Sequence, residues 1–345
     1  MSGPTVRVGQ IGMGYWGPNL VRNIMAVRRA QVVAVADLDL ARLQEVAQNA
    51  HPVAVFHDSR ELLSQDDIDA IVIATPAASH ARLAEEALRA GKHVLVEKPL
   101  ATTIEEGKRL VALAEASGRV LMVGHTFVFN CAVQRLKRYV DDGELGEVLY
   151  TSSQRLNLGR VRNDVNALWN FAPHDVSILL YLLGKTPIEV TARGFAYLQP
   201  DLEDVVFMTL VFPGNVSAHI HISWLDPQKV RRLTVVGNRK MAVYDDLSAD
   251  CRITLYDRGV DRIPTADSPR DFRNFAEFQL RLRSGDVTIP RLDFVEPLRQ
   301  ECQHFIDCII EGRQPLTDGA HGLAVVKVLA AAQQSIHGRG AAVQI

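Results

Sequence analysis

The segment that most constrains the fold is Gly12-Met-Gly14-Tyr-Trp-Gly17, which lies between an apolar run and an amphipathic stretch. Glycines at this spacing, directly after a strand and ahead of a helix, allow a tight turn and the close approach of a pyrophosphate to the backbone. Asp37 follows twenty residues after Gly17, where a carboxylate accepts hydrogen bonds from the adenosine ribose. These features predict a dinucleotide-binding turn, and an ordinary glycine-rich turn is the weaker alternative.

The same region predicts which dinucleotide binds. The carboxylate of Asp37 would repel a 2′-phosphate, and Leu38 beside it offers no positive charge, so NAD is favoured over NADP. The expected cofactor-binding residues of this region are Gly12, Gly14, Tyr15, Trp16, Gly17 and Asp37.

Up to about residue 124, short apolar runs alternate with amphipathic helical stretches. One of these stretches begins at Thr103-Ile-Glu-Glu106, which has the spacing of a capping box, and Gly118 is placed to end it. The alternation predicts an α/β fold with a doubly wound parallel sheet. Residues 1–125 are therefore interpreted as a dinucleotide-binding Rossmann domain.

The pattern changes in the rest of the chain. Strand-like runs follow one another between residues 189 and 256, separated by turns such as Pro213-Gly214-Asn215, which favours a large, mainly antiparallel sheet. A helix is expected from Pro173 to Leu183, residues 257–290 are expected to be irregular, and two helices are expected after them. Residues 126–345 are interpreted as an α+β domain for substrate binding and oligomerisation.

Charge and composition limit the possible partners. Thirty-eight Lys and Arg residues against forty Asp and Glu residues give a net charge of −2, which argues against binding nucleic acid by bulk charge. No apolar run approaches the roughly 18 residues of a membrane span, the first residues lack the features of a secretory signal, and four cysteines are too few for a disulfide scaffold. We therefore expect a cytoplasmic protein that binds neither nucleic acid nor membrane. His219 and His221 lack a third ligand at recognisable spacing, so no metal site is expected.

Two further motifs end apolar strands, Thr75-Pro76 and Glu97-Lys98-Pro99. In a doubly wound sheet, ligands bind beyond the carboxyl ends of the strands. Thr75, Pro76, Glu97 and Lys98 are therefore candidate cofactor contacts. Lys98 can also orient a hydroxyl or, with a lowered pKa, act as a base. The alternatives are a simple strand-ending turn and a solvated Glu-Lys surface pair.

The glycine turn, Asp37, Ala74-Thr75-Pro76 and the segment from Gly91 to Pro99 together resemble the glucose–fructose oxidoreductase/inositol dehydrogenase (Gfo/Idh/MocA) family. The resemblance extends over essentially the whole chain. Members of this family oxidise or reduce the hydroxyls of sugars and cyclitols with a nicotinamide cofactor. The resemblance implies an NAD-dependent dehydrogenase, a homodimer or homotetramer, and a place in the active site for Lys98.

The family often has a second motif, an aspartate followed four residues later by a histidine on a helix. Here Asn170 stands at the first position and His174 at the second. An amide can hydrogen-bond a sugar hydroxyl but cannot take its proton, so proton transfer falls on Lys98 and His174. Without the resemblance, a capping or core histidine would be the better interpretation of His174. With it, Lys98 and His174 are the predicted catalytic residues.

A narrower resemblance concerns Gly14–Asn23 and three stretches between residues 155 and 175. These segments are similar to those of family members that act on nucleotide sugars. The most similar members are the 3-dehydrogenases of UDP-N-acetylglucosamine and of its uronic acid. Three arginines in this part of the chain suit a diphosphate, and a solvated basic loop is an equal alternative. The expected substrate-binding residues are Lys98, His125, Arg155, Asn157, Arg160, Arg162, Asn170 and His174.

Together, the motifs and these resemblances imply an NAD-dependent oxidoreductase that oxidises the 3-hydroxyl of a UDP-N-acetylhexosamine (UDP-N-acetylglucosamine or its uronic acid) to a 3-keto sugar. The first alternative is an inositol or free-sugar dehydrogenase of the same family. The second is a non-catalytic, dinucleotide-sensing regulator on the same scaffold, and the presence of both Lys98 and His174 argues against it.

Overall fold

A computed structural model describes residues 4–48, 53–159, 161–262 and 280–345. Within these ranges the chain forms two sheets. The first sheet comprises β1 Val6–Ile11, β2 Ala30–Ala36, β3 Ala54–Phe56, β4 Ala70–Ile73, β5 His93–Glu97 and β6 Leu121–Gly124. All neighbouring strands are parallel, in the order β3-β2-β1-β4-β5-β6. The predicted doubly wound sheet is confirmed.

Five helices connect the strands of the first sheet: α1 Gly17–Ala26, α2 Leu40–Gln48, α3 Ser59–Leu63, α4 His80–Arg89 and α5 Ile104–Ser117. The strand order reverses between β1 and β4, and this reversal places a crevice at the carboxyl ends of these two strands. The central strand β4 is buried along its whole length, as expected when helices cover both faces of a parallel sheet.

Local signals set the ends of α5 as the sequence predicts. The Thr103 hydroxyl accepts from the Glu106 backbone N–H, and the Glu106 carboxylate accepts from the Thr103 N–H in return. Gly118 ends the helix with φ of +62°, a left-handed conformation that costs glycine little. The capping box and the glycine cap are both confirmed.

In the described residues the second sheet has nine strands: β7 Val148–Leu156, β8 Glu189–Phe195, β9 Val205–Phe212, β10 Val216–Ser223, β11 Val230–Gly237, β12 Met241–Asp245, β13 Ile253–Arg262, β14 Leu280–Thr288 and β15 Val343–Gln344. Their order is β14-β13-β12-β11-β7-β10-β9-β8-β15. β7 and β10 run parallel, and the other neighbouring pairs are antiparallel. The predicted mainly antiparallel sheet is confirmed.

Helices cover one face of this second sheet. In the described residues, four α-helices follow β6: α6 Cys131–Asp141, α7 Ala167–Leu183, α8 Pro297–Glu311 and α9 Gly319–His337. Three of them, α6, α7 and α9, pack on the second sheet. The apolar faces of α6, α7 and α9 share a core with alternate residues of the strands, such as Met208 and Leu210 of β9. The residues between them, such as Phe207, lie on the opposite face.

The helix α8 returns to the first sheet. Its buried side chains Leu298, Cys302 and Phe305 share a core with Val8 of β1 and Leu20 of α1. If the chain is divided at residue 125, α8 therefore belongs to the second segment although it packs on the first sheet. The boundary between residues 125 and 126 remains a prediction.

Two expectations about secondary structure are wrong. The helix containing Pro173 begins at Ala167, because the Asn166 side chain accepts from the Trp169 N–H at 3.1 Å and caps the helix there. Pro173 consequently lies inside α7. Residues 257–290 are not irregular throughout, since β13 extends to Arg262 and pairs with β14. None of the helices described is long and apolar enough to span a membrane.

Candidate active site

The strand ends of the first sheet face α7 across two adjoining clefts. The first cleft, of about 1600 Å³, follows the ends of β1, β2 and β4. The second cleft, of about 1140 Å³, continues past the end of β5 to α7 and the second sheet. Among the predicted site residues, both clefts are lined by Tyr15, Trp16, Thr75, Pro76, Arg162 and Asn170. Gly12, Gly14, Asp37 and Asn157 line the first, and Glu97, Lys98 and His174 line the second.

The glycine turn is shaped to accept a dinucleotide. Gly12 has φ of +96°, and a Cβ at this position would lie 2.6 Å from the Ala74 carbonyl oxygen. A Cβ at Gly17 would lie 2.4 Å from the Gly12 carbonyl oxygen. A Cβ at Gly14 would instead meet only the Arg42 guanidinium, at 3.6 Å. The backbone at Gly14 therefore borders open space in the first cleft, where a pyrophosphate can approach.

Asp37 lies at the end of β2 and is held by the backbone around it. Its carboxylate accepts from the Met13 N–H at 2.5 Å and from the Asp39 N–H at 2.8 Å. The Arg42 guanidinium lies 3.6 Å from the same carboxylate. Arg42 also lines the first cleft, and the sequence reasoning did not single it out. The glycine turn and a fixed acid at the second strand thus fit a dinucleotide.

Lys98 is anchored between the first sheet and α7. Its Nζ donates to the Asn170 backbone carbonyl at 3.0 Å. Burial lowers the Lys98 pKa to about 8, with Arg162 and Arg155 adding to the decrease and Glu97 opposing it. Burial raises the Glu97 pKa to about 7, against the opposing effect of Lys98. The neutral amine that a base requires therefore forms at a lower pH than in an exposed lysine.

His174 lies on α7 in the second cleft, with its ring 4.9 Å from the ring of Phe127 in an edge-to-face contact. Burial lowers its pKa well below 6.5, and the nearby positive charges of Lys98 and Arg155 add to the decrease. The imidazole is therefore neutral at physiological pH. Its Nδ1 is buried without a hydrogen-bond partner in the described part of the chain.

The predicted arginines have different surroundings. Arg155 is buried, and its Nε donates to Asp175 Oδ2 at 2.6 Å. It lines neither cleft. Arg162 lines both clefts and is paired with Asp164. Arg160 lies outside the described residues.

His125 is fully buried, with its ring 5.4 Å from that of His321. It lines neither of the two clefts. Gly17 also lines neither cleft, and its place is in the packing of the turn against α1. The roles of His125 and Arg155 as substrate ligands remain predictions.

Several residues near the site escaped the sequence reasoning. His80 connects two strand-end motifs, because its ring nitrogens lie 2.8 Å from the carbonyl oxygens of Thr75 and Pro99. Glu301 of α8 is fully buried and accepts from the Thr126 hydroxyl at 2.8 Å. Burial and the Glu97 carboxylate raise the Glu301 pKa well above its usual value. No periodicity or spacing signals these contacts, since each joins segments that are distant in the sequence or depends on a side chain's direction.

Comparison with known proteins identifies the family. One model, described as an oxidoreductase family with an NAD-binding Rossmann fold, matches residues 6–125, and the model of the C-terminal domain of the same family matches residues 133–243. The chain belongs to the Gfo/Idh/MocA family. It is thus an NAD-binding oxidoreductase of the dehydrogenase type, and the predicted family, enzyme class and cofactor are confirmed.

Two relatives show the range of chemistry within this family. The UDP-N-acetylglucosamine 3-dehydrogenase of Acidithiobacillus ferrooxidans is 28% identical over 330 residues, which cover 95% of this chain and 96% of that protein. A solved structure of that enzyme superposes with a TM-score of 0.80 at 25% identity, covering 97% of this chain and 98% of the other. The inositol 2-dehydrogenase 1 of Saccharopolyspora erythraea is 35% identical over 233 residues, covering 63% of this chain and 67% of that protein.

Proposed function

We propose that this protein oxidises the 3-hydroxyl of a UDP-N-acetylhexosamine, UDP-N-acetylglucosamine or its uronic acid, to a 3-keto sugar with NAD. The observation that carries this proposal is the convergence of Lys98 and His174 in one cleft that adjoins the dinucleotide turn. The similarity to the Acidithiobacillus enzyme, which extends over nearly the full length of both chains, supports this choice of substrate.

Lys98 is the proposed base. Its neutral amine accepts the proton of the sugar hydroxyl at Nζ, and the Asn170 carbonyl, 3.0 Å away, fixes the direction of that amine. The burial that lowers the Lys98 pKa to about 8 places it close to the working pH. When bound, NAD supplies the acceptor for the hydride that leaves the sugar carbon bearing this hydroxyl.

His174 and Asn170 are proposed to orient the substrate. The imidazole is neutral, so one of its ring nitrogens can form a hydrogen bond with the reacting hydroxyl, as donor or acceptor according to the tautomer. The Asn170 side chain lies one helical turn before it on α7, and Asn170 lines both clefts. From the segment that follows β7, Arg162 borders both clefts and Asn157 borders the adjoining first cleft. These side chains hold the sugar ring while Lys98 removes the proton.

The first alternative is a cyclitol or free-sugar dehydrogenase, which the 35% identity to an inositol 2-dehydrogenase favours. Initial rates of NADH formation with UDP-N-acetylglucosamine, its uronic acid, myo-inositol and glucose separate the two. We expect a kcat/KM at least about tenfold higher for a UDP-sugar than for either neutral compound. Turnover of inositol or glucose alone contradicts the proposed substrate and selects the alternative. If the protein binds NAD but turns over none of these four compounds, the result favours the non-catalytic, dinucleotide-sensing regulator.

We also infer that copies of the chain associate through the outer face of the second sheet. Exposed aromatic rings lie there, with Phe195 and Phe207 at 6.4 Å and Phe207 stacked on His221 at 4.4 Å. Burial of such rings between subunits stabilises a homodimer or homotetramer. Light scattering of the wild type and of Phe207→Glu tests this inference. A smaller species for Phe207→Glu supports it, and a wild-type monomer contradicts it.

A further inference from the structure

A pair of arginines lies in the second cleft on the side of the antiparallel sheet. Arg231 belongs to β11, and Arg252 directly precedes β13. Both line the cleft that also contains Lys98 and His174. Neither lies in the stretch of sequence that supplies Arg155 and Arg162, and sheet pairing rather than sequence proximity brings them together.

The two guanidinium groups share a single carboxylate. Arg231 Nη1 lies 3.1 Å from Asp246 Oδ2, and Arg252 Nη1 lies 3.7 Å from Asp246 Oδ1. Asp246 also accepts from the Tyr244 hydroxyl at 2.9 Å and from Asn130 Nδ2 at 3.3 Å. In the described part of the chain no other carboxylate lies within ion-pair distance of either arginine. The group therefore keeps one uncompensated positive charge.

Aromatic rings hold both arginines in place. The Arg252 guanidinium lies 4.4 Å from the ring centre of Phe294, and that of Arg231 lies 5.5 Å from the ring centre of Phe127. The Arg252 side chain is 23% exposed and that of Arg231 is 34% exposed. Each of these side chains donates only one hydrogen bond to an oxygen within the described residues. Each guanidinium has five N–H donors, so most of them are left for a ligand.

The other charged groups of the second cleft are more nearly balanced. Arg162 is paired with Asp164, and Glu296 is paired with Arg22 at 2.7 Å. Arg155, which lines neither cleft, is ion-paired with Asp175. Among these ion-paired groups, the excess positive charge is therefore centred on Arg231 and Arg252.

The position of the pair relative to the reacting atoms decides which part of the substrate it meets. Phe127 contacts the His174 ring at 4.9 Å and the Arg231 guanidinium at 5.5 Å, so one aromatic ring separates the arginine from the proposed site of oxidation. In a nucleotide sugar the carbon that carries the diphosphate is two bonds away from carbon 3. A diphosphate accepts forked hydrogen bonds from guanidinium groups.

We propose that Arg231 and Arg252, held by Asp246, form an anion subsite that binds the diphosphate of the substrate next to the sugar. This inference rests on the proposed function and names the residues that select a charged substrate over a neutral cyclitol. The same chemistry would accept a sugar carboxylate, and the experiment distinguishes these two sources of negative charge.

The test is calorimetric binding of UDP and of glucuronate to the NAD-loaded protein, in the wild type, Arg231→Ala and Arg252→Ala. Each substitution should weaken UDP binding at least about tenfold, because it removes charge-assisted hydrogen bonds to the diphosphate. The matched control is Arg232→Ala, which removes the exposed neighbour of Arg231 on the same strand and should leave UDP affinity unchanged. Titration with NAD alone shows whether the fold is intact.

The outcomes separate the subsite from the proposed function. Loss of UDP affinity in both variants, with NAD affinity retained, supports the diphosphate subsite. Loss of glucuronate affinity alone supports an anion subsite and contradicts its assignment to a diphosphate. Unchanged affinity for both probes, or an equal loss of NAD affinity, overturns the subsite. The proposed function is decided separately by the turnover of UDP-sugars in the wild type.

Discussion

Arg155 of β7 and Asp175 of α7 form a buried ion pair, with Nε 2.6 Å from Oδ2, and Asp175 directly follows His174 in the chain. The Ser153 hydroxyl donates to the other carboxylate oxygen at 2.5 Å. The Arg155 guanidinium also lies 4.7 Å from the ring centre of Phe127, which contacts His174. This ion pair joins the second sheet to the helix that carries the proposed catalytic histidine.

Replacing Asp175 with Ala should lower the free energy of unfolding by about 3–5 kcal/mol, because it leaves the buried Arg155 charge uncompensated. Urea denaturation measures this change. The matched control is Glu85→Ala, which breaks the pair with Arg89 on the surface of α4 and should cost less than about 1 kcal/mol. Equal effects of the two substitutions would show that the buried pair has no special structural role.

Replacing Gly12 with Ala should weaken NAD binding at least about tenfold. A Cβ there would lie 2.6 Å from the Ala74 carbonyl oxygen at φ of +96°, so the turn must move away from β4. Gly143→Ala is the control, since it has φ of +67° and nothing within 4 Å of its Cβ. That variant has the backbone strain without the collision. Fluorescence titration with NAD measures both, and equal affinities would contradict the proposed role of the turn.

Replacing Lys98 with Met should lower kcat roughly 10²- to 10⁴-fold, because it removes the group that accepts the hydroxyl proton. NAD binding should persist, since the glycine turn and Asp37 are untouched. Steady-state kinetics and NAD titration of the same preparation measure the two quantities. A variant that keeps most of its kcat would exclude Lys98 as the base.

The rate of alcohol oxidation should rise with pH and level off above an apparent pKa of about 8, because the Lys98 amine must be neutral to accept a proton. In the reverse direction, reduction of the ketone, the rate should fall over the same range, since the protonated amine is then required. The pH dependence of kcat/KM in both directions checks the sign. A rate of oxidation that falls as the pH rises through this range would contradict the assignment.

Glu97→Gln refines this test. The Glu97 carboxylate raises the pKa of Lys98, so its removal should move the inflection of the oxidation profile to lower pH. An unchanged inflection would indicate that a group other than Lys98 controls the profile.

Local signals allowed much of the fold to be predicted. The glycine turn, the capping box at Thr103 and the glycine at position 118 each act within a few residues of chain, and the structure has all three as expected. The start of α7 was missed because the Asn166 side chain, seven residues before Pro173, caps the helix. Pro173 therefore lies inside the helix and not in its first turn.

The composition of the site was harder to predict because it depends on long-range pairing. Arg231 lies on β11, which pairs with both β7 and β12, and Asp246 directly follows β12. No spacing in the sequence places them in the same cleft as His174. Arg155 is a predicted ligand because of its charge, but its buried ion pair with Asp175 of α7 could not be predicted from the sequence. Charge is visible in a sequence, but the partner that neutralises it is not.

The most direct test of the account uses UDP-N-acetylglucosamine with deuterium at carbon 3 and mass spectrometry of the NADH that forms. We expect NADH that carries one deuterium, because the hydride leaves the carbon whose hydroxyl Lys98 deprotonates. Unlabelled NADH, or no NADH from this sugar while inositol is oxidised, would contradict oxidation at carbon 3 of a nucleotide sugar.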